Sequence, residues 1–520
     1  MRASMASEAA VRSSLGTVTK GTLLLLIATL GFIAENFVAR VILIRALSSE
    51  QWTEFSLGLT LAGLFVAAAA LGFPLAVARS LPYAHADAER RAIVRVSLVV
   101  VGISAFAGSV VLFLLAQPIG VALGVPQSGV TIQFFAVAVG FTILSGLLAA
   151  VFQGFEDVRP NAFFVQLLNP GLFIVFLGSA YLAGGRLLSY NQALVSYVLA
   201  AGLTLAVLSV YAWRQLPRHV PAGPTQLGVL QKLALFAAPL LAVAVFGYLT
   251  GSGDTLLLAV YNYPSVGTYT ASLALARLLQ VGIGALGYIF LPVATKFLRD
   301  GDKSSVRITY ATATKWMVLA SLPLFLLFFF LPAASLGFVY GPGYTSQTVP
   351  LEILVAGAFA ATLVGPSTMA QIAFGQTRLL LYNSGVSAAV DLGLALALIP
   401  RYGIVGAAIA WGVANALQPI LSMAELAVLE DVHPFRIHYL IPLLATGIPL
   451  GVLFAFAPAS LSWWLLPLIG LAVAVVYAMV VALTGSIDQG DRLLLEAIEG
   501  MLGRRLGFLR RFGAWGLRRG

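Results

Sequence analysis

The amino-acid sequence predicts an all-α polytopic membrane protein with about fourteen transmembrane helices. The predicted architecture is two pseudo-symmetric six-helix lobes followed by two C-terminal helices. The first reason is composition: 60% of the 520 residues are hydrophobic and only 10% are charged, too few to cover a soluble protein of this size. The second is that apolar runs long enough to cross a bilayer recur along the whole chain. The third is a helical hairpin pattern that occurs twice.

The repeated hairpin carries charged residues inside apolar helices. Its first copy covers residues 35–82 and consists of an apolar helix with Arg40, a short polar turn and a second apolar helix. The second copy follows about 215 residues later, and its first apolar helix contains Asp254. Aligning Thr53 with Gly267 places Arg40 opposite Asp254. A long-period repeat with buried charges predicts two related halves, an arrangement typical of secondary transporters.

The clearest boundary is a segment rich in proline and glycine, predicted as a cytoplasmic linker at 216–229. It separates an N-terminal lobe at 1–215 from a C-terminal lobe at 230–430. Residues 431–485 are predicted to add two transmembrane helices. Residues 486–520 have leucines at helical spacing and several arginines, which predicts a basic amphipathic cytoplasmic tail on the anionic inner leaflet. The alternative is a frayed basic tail that serves only topology.

The distribution of basic residues predicts the orientation in the membrane. With the N-terminus inside, about 25 of the 30 Lys and Arg residues fall in the inner loops and the two tails. The sequence therefore predicts a multi-pass protein of the cell membrane with both termini cytoplasmic. This topology and anionic lipid headgroups explain the net charge of +10, so no nucleic acid partner is predicted. The chain has no cysteine, metal-ligand spacing or nucleotide-binding motif, so no cofactor is predicted.

Two segments carry a family resemblance. Residues 45–57, with the sequence RALSSEQWTEFSL, resemble the turn after the first helix in prokaryotic polysaccharide flippases. Residues 398–410, LIPRYGIVGAAIA, resemble a second family hallmark between helices 11 and 12. Over nearly its whole length the chain resembles the polysaccharide/oligosaccharide flippase branch of the multidrug/oligosaccharidyl-lipid/polysaccharide exporter superfamily. Thr53 departs from the pattern, because this position is usually glycine, and we expect a slightly weaker turn there.

The resemblance implies two six-helix lobes around a central cavity and the function of a transporter rather than an enzyme. The implied substrate is a lipid-linked oligosaccharide, carried on a polyprenyl phosphate or diphosphate. The implied process flips this lipid from the inner to the outer leaflet by alternating access, for polysaccharide or glycan export. Membrane lipids and glycan-assembly enzymes are the expected partners, and the chain is expected to be a monomer.

Three alternatives to this interpretation stay open. A drug/cation antiporter of the same superfamily has a similar lobe design but usually lacks the last two helices. A membrane polysaccharide polymerase or ligase needs an active site on sizeable outer loops, whereas the predicted outer loops are short. A lipid II-type flippase is chemically close to the implied transporter, and the sequence does not exclude it.

Charged residues inside predicted membrane helices form the candidate site, because a charge at the bilayer centre costs about 2.5–3.5 kcal/mol on insertion scales. Arg40 and Arg277 are predicted to bind the substrate phosphate, since a guanidinium group matches two phosphate oxygens. Asn36 lies one turn before Arg40 and is predicted to bond a phosphate or a sugar hydroxyl. By helical rise, Arg40 and Asp254 lie roughly 9 Å inside the outer ends of their helices.

Three carboxylates in the same helices, Glu35, Asp254 and Asp391, have two candidate roles. As coupling groups they bind a proton or another ion. As ion-pair partners, Asp254 joins Arg40, and either Asp391 or Glu35 joins Arg277. Ion pairing is a serious alternative for the arginines as well, because three acids and two arginines leave the predicted cavity without a positive charge. No catalytic residue and no metal site are predicted.

Overall fold

The computed structural model describes residues 2–84, 86–183, 188–215, 226–435, 437–456 and 463–483. Nearly all of these residues are helical and no β-strand occurs among them, which confirms the predicted all-α fold. They form two compact units, of which the first is Leu24–Gly267 and the second consists of the residues from Thr268 onward together with those before Leu24. The predicted tail at 486–520 and most of the predicted linker lie outside the described residues.

The first unit consists of long apolar helices joined by short turns. A π-helical segment at Asn161–Leu168 opens the fifth span and continues directly into α6. The helices are α1 (Arg2–Ala46, in this unit from Leu24), α2 (Ser49–Ala69), α3 (Phe73–Tyr83), α4 (Asp87–Ala122), α5 (Ser128–Gly154), α6 (Asn169–Ala183), α7 (Tyr190–Gln215) and α8 (Gln226–Tyr261), followed by a 3-10 turn at Tyr263–Ser265.

The second unit combines long helices with several short ones. Its helices are α9 (Val266–Leu278, in this unit from Thr268), α10 (Val281–Arg299), α11 (Lys303–Phe330), α12 (Pro332–Tyr340), α13 (Val349–Leu363), α14 (Ser367–Ala373), α15 (Thr377–Tyr402), α16 (Ile404–Glu430), α17 (Ile437–Ala455) and α18 (Leu466–Leu483).

Within the described residues, eleven helices are long and apolar enough to cross a membrane. Seven of them lie in the first unit and four in the second. The remaining predicted spans correspond to shorter helices, namely α9 with α10, then α17 and α18. The structure confirms a polytopic helical fold, while the count of about fourteen spans stays a prediction.

Three of the predicted spans are interrupted, and one of them, Val349–Ala373, breaks between α13 and α14, where Gly365 has a φ of 65°. The span Ser49–Tyr83 breaks between α2 and α3, where Leu71 and Gly72 have φ angles of 53° and 70°. The equivalent span of the second hairpin copy breaks between α9 and α10. Secondary transporters place their binding groups at such discontinuous helices, because unwound backbone frees polar groups. The apolar pattern predicts one helix in each place, and Pro74 is the local sign of a kink at the break between α2 and α3.

Helix α8 packs against α2, α3 and α4 within the first unit. This packing extends the unit beyond the linker at 216–229, to Gly267. The lobe limits of 1–215 and 230–430 are drawn from the repeat and the linker, and they stay a prediction.

The family segment at 45–57 contains the start of α2, which is fixed by a capping box. Ser48 Oγ accepts a hydrogen bond from the Gln51 backbone N–H at 3.2 Å, and Gln51 Oε1 accepts one from the Ser48 backbone N–H at 3.1 Å. One residue later, Trp52 Nε1 donates to the Gly267 carbonyl oxygen at 2.9 Å. The two hairpin turns, which the sequence pairs only as copies of one pattern, therefore touch within the first unit.

Aromatic rings form the core behind this turn. Phe55 of α2 is 2% exposed, and its ring centroid lies 5.0 Å from that of Phe135 in α5 and 6.3 Å from that of Phe173 in α6. Tyr197 of α7 completes the cluster at 6.1 Å from Phe55. Offset and edge-to-face ring pairs of this kind stabilise the contact between helices beyond simple burial. Phe55 thus connects the four membrane helices α2, α5, α6 and α7.

Asp302 caps the start of α11 in the second unit. Its Oδ1 accepts hydrogen bonds from the Ser305 backbone N–H at 3.0 Å and from the Ser304 hydroxyl at 2.7 Å. The Ser305 hydroxyl donates to Oδ2. These bonds, those from the Ser305 side chain first, lower the pKa of Asp302 to about 2 from an ordinary value of 3.8. The ionised cap therefore contributes stability above about pH 4, and this contribution is lost as the pH falls through the folded-state pKa.

We expect Asp302→Ala to lower the melting temperature (Tm) at neutral pH and to have less effect in acid, because the wild-type cap is itself protonated there. Thermal unfolding in detergent at several pH values measures the difference. The matched control is Asp300→Ala, since Asp300 is exposed and its recorded contact is an ion pair with Arg299 at 3.6 Å. If the Tm difference between wild type and Asp302→Ala is the same at every pH, Asp302 does not act as an ionised helix cap.

Candidate functional site

Helix α1 carries three of the predicted site residues, all in the first unit. The Asn36 side chain is exposed, and its Nδ2 donates to the Phe32 carbonyl oxygen of its own helix at 2.8 Å. Arg40, one turn further on, is half-buried, and its guanidinium carbon lies 5.8 Å from the centroid of the Trp52 ring. Arg40 is thus positioned by the hairpin turn through a cation–π contact.

Glu35 faces the middle of the fifth span. Its Oε1 lies 3.6 Å from the point that a Cβ on Gly171 of α6 would occupy, so the glycine leaves room for the carboxylate. Glu35 Oε2 is buried and has no hydrogen-bond partner among the described residues. Two turns earlier on α1, Thr29 Oγ1 donates to Gln166 Oε1 of the π-helical segment at 3.0 Å. Single π-helical turns are often found at functional sites, and this one lies beside the polar face of α1.

Asp254 lies in α8 and is 1% exposed. The Thr255 backbone N–H donates to Asp254 Oδ1 at 2.8 Å, and the Thr255 hydroxyl lies 3.5 Å from the same oxygen. Asp254 and Arg40 both belong to the first unit. Deep burial of this carboxylate agrees with the predicted position inside a membrane helix.

Arg277 and Asp391 belong to the second unit. Arg277 lies in the last turn of α9, next to the break before α10, and its side chain is exposed. Asp391 lies in α15 and is 4% exposed. In the part of the chain that the structure describes, Asp391 Oδ1 has no hydrogen-bond partner and Asp391 forms no ion pair. The roles of all six predicted residues stay predictions.

The second unit also contains polar residues that the sequence analysis does not single out. A row of small polar side chains follows α15 and α16, where Gln418 Nε2 donates to Ser384 Oγ at 2.9 Å and Asn383 Nδ2 donates to Glu425 Oε2 at 2.8 Å. Lys315 is 3% exposed in the middle of α11. Serine, asparagine and glutamine carry no charge, so a search for charged residues inside apolar helices does not find such a row.

A small cavity of about 120 Å³ lies inside the first unit. It is mostly apolar, and its polar lining groups are Thr142 and Tyr197. Binding sites for small ligands usually have volumes of roughly 300–1,000 Å³. This cavity is therefore a packing void between helices and is too small for an oligosaccharide.

A second feature that the sequence analysis missed is a set of three buried or half-buried side chains in the first unit, Glu54, Thr131 and Tyr190, here named the Glu54 cluster. Glu54 is 7% exposed in the second turn of α2. Thr131 Oγ1 of α5 donates to Glu54 Oε2 at 3.3 Å, and the same Oγ1 lies 2.6 Å from the hydroxyl of Tyr190, the first residue of α7. The only signal in the sequence is one glutamate inside the hairpin turn.

Long apolar helices, broken in places and carrying buried carboxylates and arginines, define a polytopic membrane transporter. The chain belongs to the polysaccharide biosynthesis protein family, whose profile matches residues 18–298. This match contains the hairpin turn at 45–57 and confirms the resemblance on which the family prediction depends. The search of curated proteins gave no match.

Comparison with solved structures shows the same fold. A lipid II flippase, MurJ, in an inward closed conformation aligns over 88% of this chain and 98% of its own, with a TM-score of 0.68 and 12% identity. An inward-facing multidrug resistance MATE family transporter of the MOP superfamily aligns over 78% of this chain and 99% of its own, with a TM-score of 0.60 and 14% identity. A point mutant of the MATE transporter VcmN of Vibrio cholerae aligns over 80% of this chain and 98% of its own, with a TM-score of 0.51 and 18% identity. At these identities the comparison establishes the fold alone.

Proposed function

We propose that this protein flips a lipid-linked oligosaccharide, on a polyprenyl phosphate or diphosphate carrier, from the inner to the outer leaflet of the cell membrane by alternating access. Membership of the polysaccharide biosynthesis protein family carries the proposal. The fold shared with a lipid II flippase over 88% of the chain supports it, since that protein is also a flippase of a lipid. Both termini are cytoplasmic in this proposal, as the distribution of basic residues predicts.

In this function Arg40 and Arg277 bind the phosphate groups of the substrate. The guanidinium carbon of Arg40 lies 5.8 Å from the centroid of the Trp52 ring, and this cation–π contact orients the group. Arg277 lies beside the break between α9 and α10, with its side chain exposed. Asn36 is the third binding residue, and it exchanges its bond to the Phe32 carbonyl oxygen for one to the substrate. Glu35, Asp254 and Asp391 serve as coupling groups or as ion-pair partners of the arginines.

A drug/cation antiporter is the alternative, because two of the similar folds are MATE transporters. The family match favours the oligosaccharide flippase, because it compares the amino-acid sequence of this chain with that of the family and does not depend on the fold. A membrane polymerase or ligase has no specific support in the structure.

The test is a flipping assay with purified protein in proteoliposomes and a fluorescent polyprenyl diphosphate oligosaccharide. We expect Arg40→Ala and Arg277→Ala each to slow flipping about tenfold or more, because a hydrogen bond to a charged group contributes about 1.5–3 kcal/mol. Lysine at either position should retain part of the rate, since it keeps the charge but loses the two-pronged geometry. Arg401→Ala, at an exposed position in the last turn of α15, is the control.

Two outcomes would contradict the proposal. Normal flipping by both alanine variants would show that Arg40 and Arg277 do not bind the substrate phosphate. A wild-type protein that moves cationic drugs against a proton or sodium gradient, and leaves the oligosaccharide lipid in place, would establish the antiporter instead.

A further inference from the structure

Helices α2 and α3 form one span that is broken in the middle, and the neighbouring helix α8 contains a proline. At the break, Leu71 and Gly72 both have a left-handed backbone, with φ angles of 53° and 70°. Leucine rarely adopts this conformation, so the surrounding structure must hold the break in place. In α8, Pro239 has no backbone N–H to donate to the Leu235 carbonyl oxygen one turn earlier, and this weakens the helix at that point.

The break and the proline lie against each other through their backbones. A Cβ on Gly72 would overlap the Ala237 carbonyl oxygen and would lie 2.7 Å from the Leu241 backbone nitrogen. These two atoms flank Pro239 along α8. The break and α8 thus approach so closely that only glycine fits between them, and a change of angle at one of them displaces the other.

The part of α8 after the proline is bonded to α2. The Tyr248 hydroxyl donates to the Thr60 carbonyl oxygen at 2.7 Å. One turn further along α2, a Cβ on Gly63 would overlap the same hydroxyl, so this glycine makes room for the tyrosine. Ser104 Oγ of α4 donates to the Ala69 carbonyl oxygen at 2.8 Å and holds the end of α2. Helix α2 and this part of α8 are therefore tied to each other up to the break.

The part of α8 before the proline contacts α3 instead. The guanidinium carbon of Arg79 in α3 lies 4.4 Å from the centroid of the Phe236 ring, which is a cation–π contact. Pro74 in the first turn of α3 starts a new helix after the break. Each part of the broken span thus has its own partner in α8, namely residues 239–261 for α2 and residues 226–238 for α3.

We propose that the α2–α3 break and Pro239 form one hinge, about which α3 and residues 226–238, here named the α3 pair, turn as one body. The other body is α2 with residues 239–261, here named the α2 pair. The movement opens or closes the end of the first unit where α3 ends and α8 begins, without separating the helices of either pair. The inference rests on the proposed function, because alternating access requires hinges that keep packed helices together.

The test measures distances between labels in the protein without substrate. The chain has no cysteine, so introduced cysteine pairs can carry spin labels for electron paramagnetic resonance. Tyr83→Cys with Leu235→Cys reports on the α3 pair, at two exposed positions. Ser49→Cys with Val260→Cys reports on the α2 pair, also at exposed positions. Tyr83→Cys with Val260→Cys spans the hinge, and we expect its distance distribution to be broader than those within the pairs.

Pro239→Ala restores a backbone N–H and is expected to straighten α8, which should narrow the distribution across the hinge to a single distance. Pro118→Ala is the matched control, because Pro118 also lies inside a long helix of the first unit, roughly four turns beyond Ser104 along α4. It should leave the distribution as in wild type. If the wild-type distribution across the hinge is as narrow as those within the pairs, or if Pro239→Ala leaves it unchanged, the proposal is wrong.

Arg79→Met keeps the test informative if Pro239→Ala folds poorly. It removes the guanidinium group from the Phe236 ring and keeps a long side chain, so it should loosen the α3 pair alone. The distribution between labels at Tyr83 and Leu235 should broaden, whereas that within the α2 pair should stay narrow. No broadening would contradict the α3 pair as one body. Because no substrate is present, a fixed hinge in a protein that flips its lipid would contradict this inference alone, and a mobile hinge without flipping would contradict only the proposed function.

Discussion

Replacing Gly267 by alanine is expected to destabilise the protein by about 1–3 kcal/mol, the usual effect of overpacking a tight contact. A Cβ on Gly267 would lie 2.5 Å from Thr53 Oγ1 and 3.0 Å from Trp52 Cδ1. Neither neighbour can move freely, because Thr53 Oγ1 donates to the Ser49 carbonyl oxygen at 2.8 Å and Trp52 Nε1 donates to Gly267 itself. Thermal or denaturant unfolding of the purified protein measures the change.

The matched experiments separate this contact from the general effect of losing a glycine. Gly247→Ala in α8 is the control, since a Cβ there meets nothing within 4 Å, and it should leave the stability unchanged or slightly higher. Thr53→Ala removes the atom that Gly267→Ala would touch, so the double variant should lose less stability than the two single variants combined. Strictly additive losses would show that the strain of Gly267→Ala lies elsewhere.

This contact explains the departure at Thr53 that the sequence analysis noted. The family resemblance places a glycine at position 53, and a weaker turn is expected when threonine replaces it. In the structure the position paired with it by the repeat, Gly267, lies against Thr53 and provides the room. The sequence predicts that the two turns are copies of one pattern. It does not predict that they touch, because that depends on how α8 returns to α2.

The helical class and the family were predictable because they depend on composition and on short local patterns. The capping residues Ser48 and Gln51 are close in sequence, and the second hallmark at 398–410 folds equally locally. There Gly403 alone links α15 to α16 with a φ of 54°, which favours glycine over any other residue. The break at Leu71–Gly72 has a local signal of the same kind, because Gly72 has a φ of 70° and Pro74 lies in the first turn of α3. The break at Leu279–Gln280 has no comparable signal and could not be predicted from local sequence.

The candidate site was predictable only where a full charge marks it. Glu35, Asp254 and Asp391 stand out as carboxylates in apolar runs, and the structure places all three in membrane helices. Glu54 was overlooked, although it is more deeply buried than Glu35, because it lies in a turn whose polar residues are explained by capping. Its partners Thr131 and Tyr190 are 77 and 136 residues away in sequence, at the ends of other helices.

Removing the Glu425 carboxylate is expected to have the second large effect on stability. Gln371 Nε2 of α14 and Asn383 Nδ2 of α15 both donate to Glu425 Oε2 of α16. Gln371 is 0% exposed and Asn383 is 4% exposed, so neither amide can turn to solvent if its acceptor is lost. Each buried donor left without an acceptor costs about 1–3 kcal/mol. Glu425→Ala should therefore lower the stability by several kcal/mol, as measured by unfolding in detergent.

Glu425→Gln should lose less than Glu425→Ala, because its amide oxygen has two lone pairs and can accept both hydrogen bonds in the place of Oε2. Glu352→Ala is the control, since it removes a half-buried carboxylate for which the described residues record no donor. Equal losses for Glu425→Ala and Glu352→Ala would mean that the three helices α14, α15 and α16 are held by apolar packing alone. From sequence Glu425 appears only as an acid near a helix end, and its role depends on two amides that reach it from other helices.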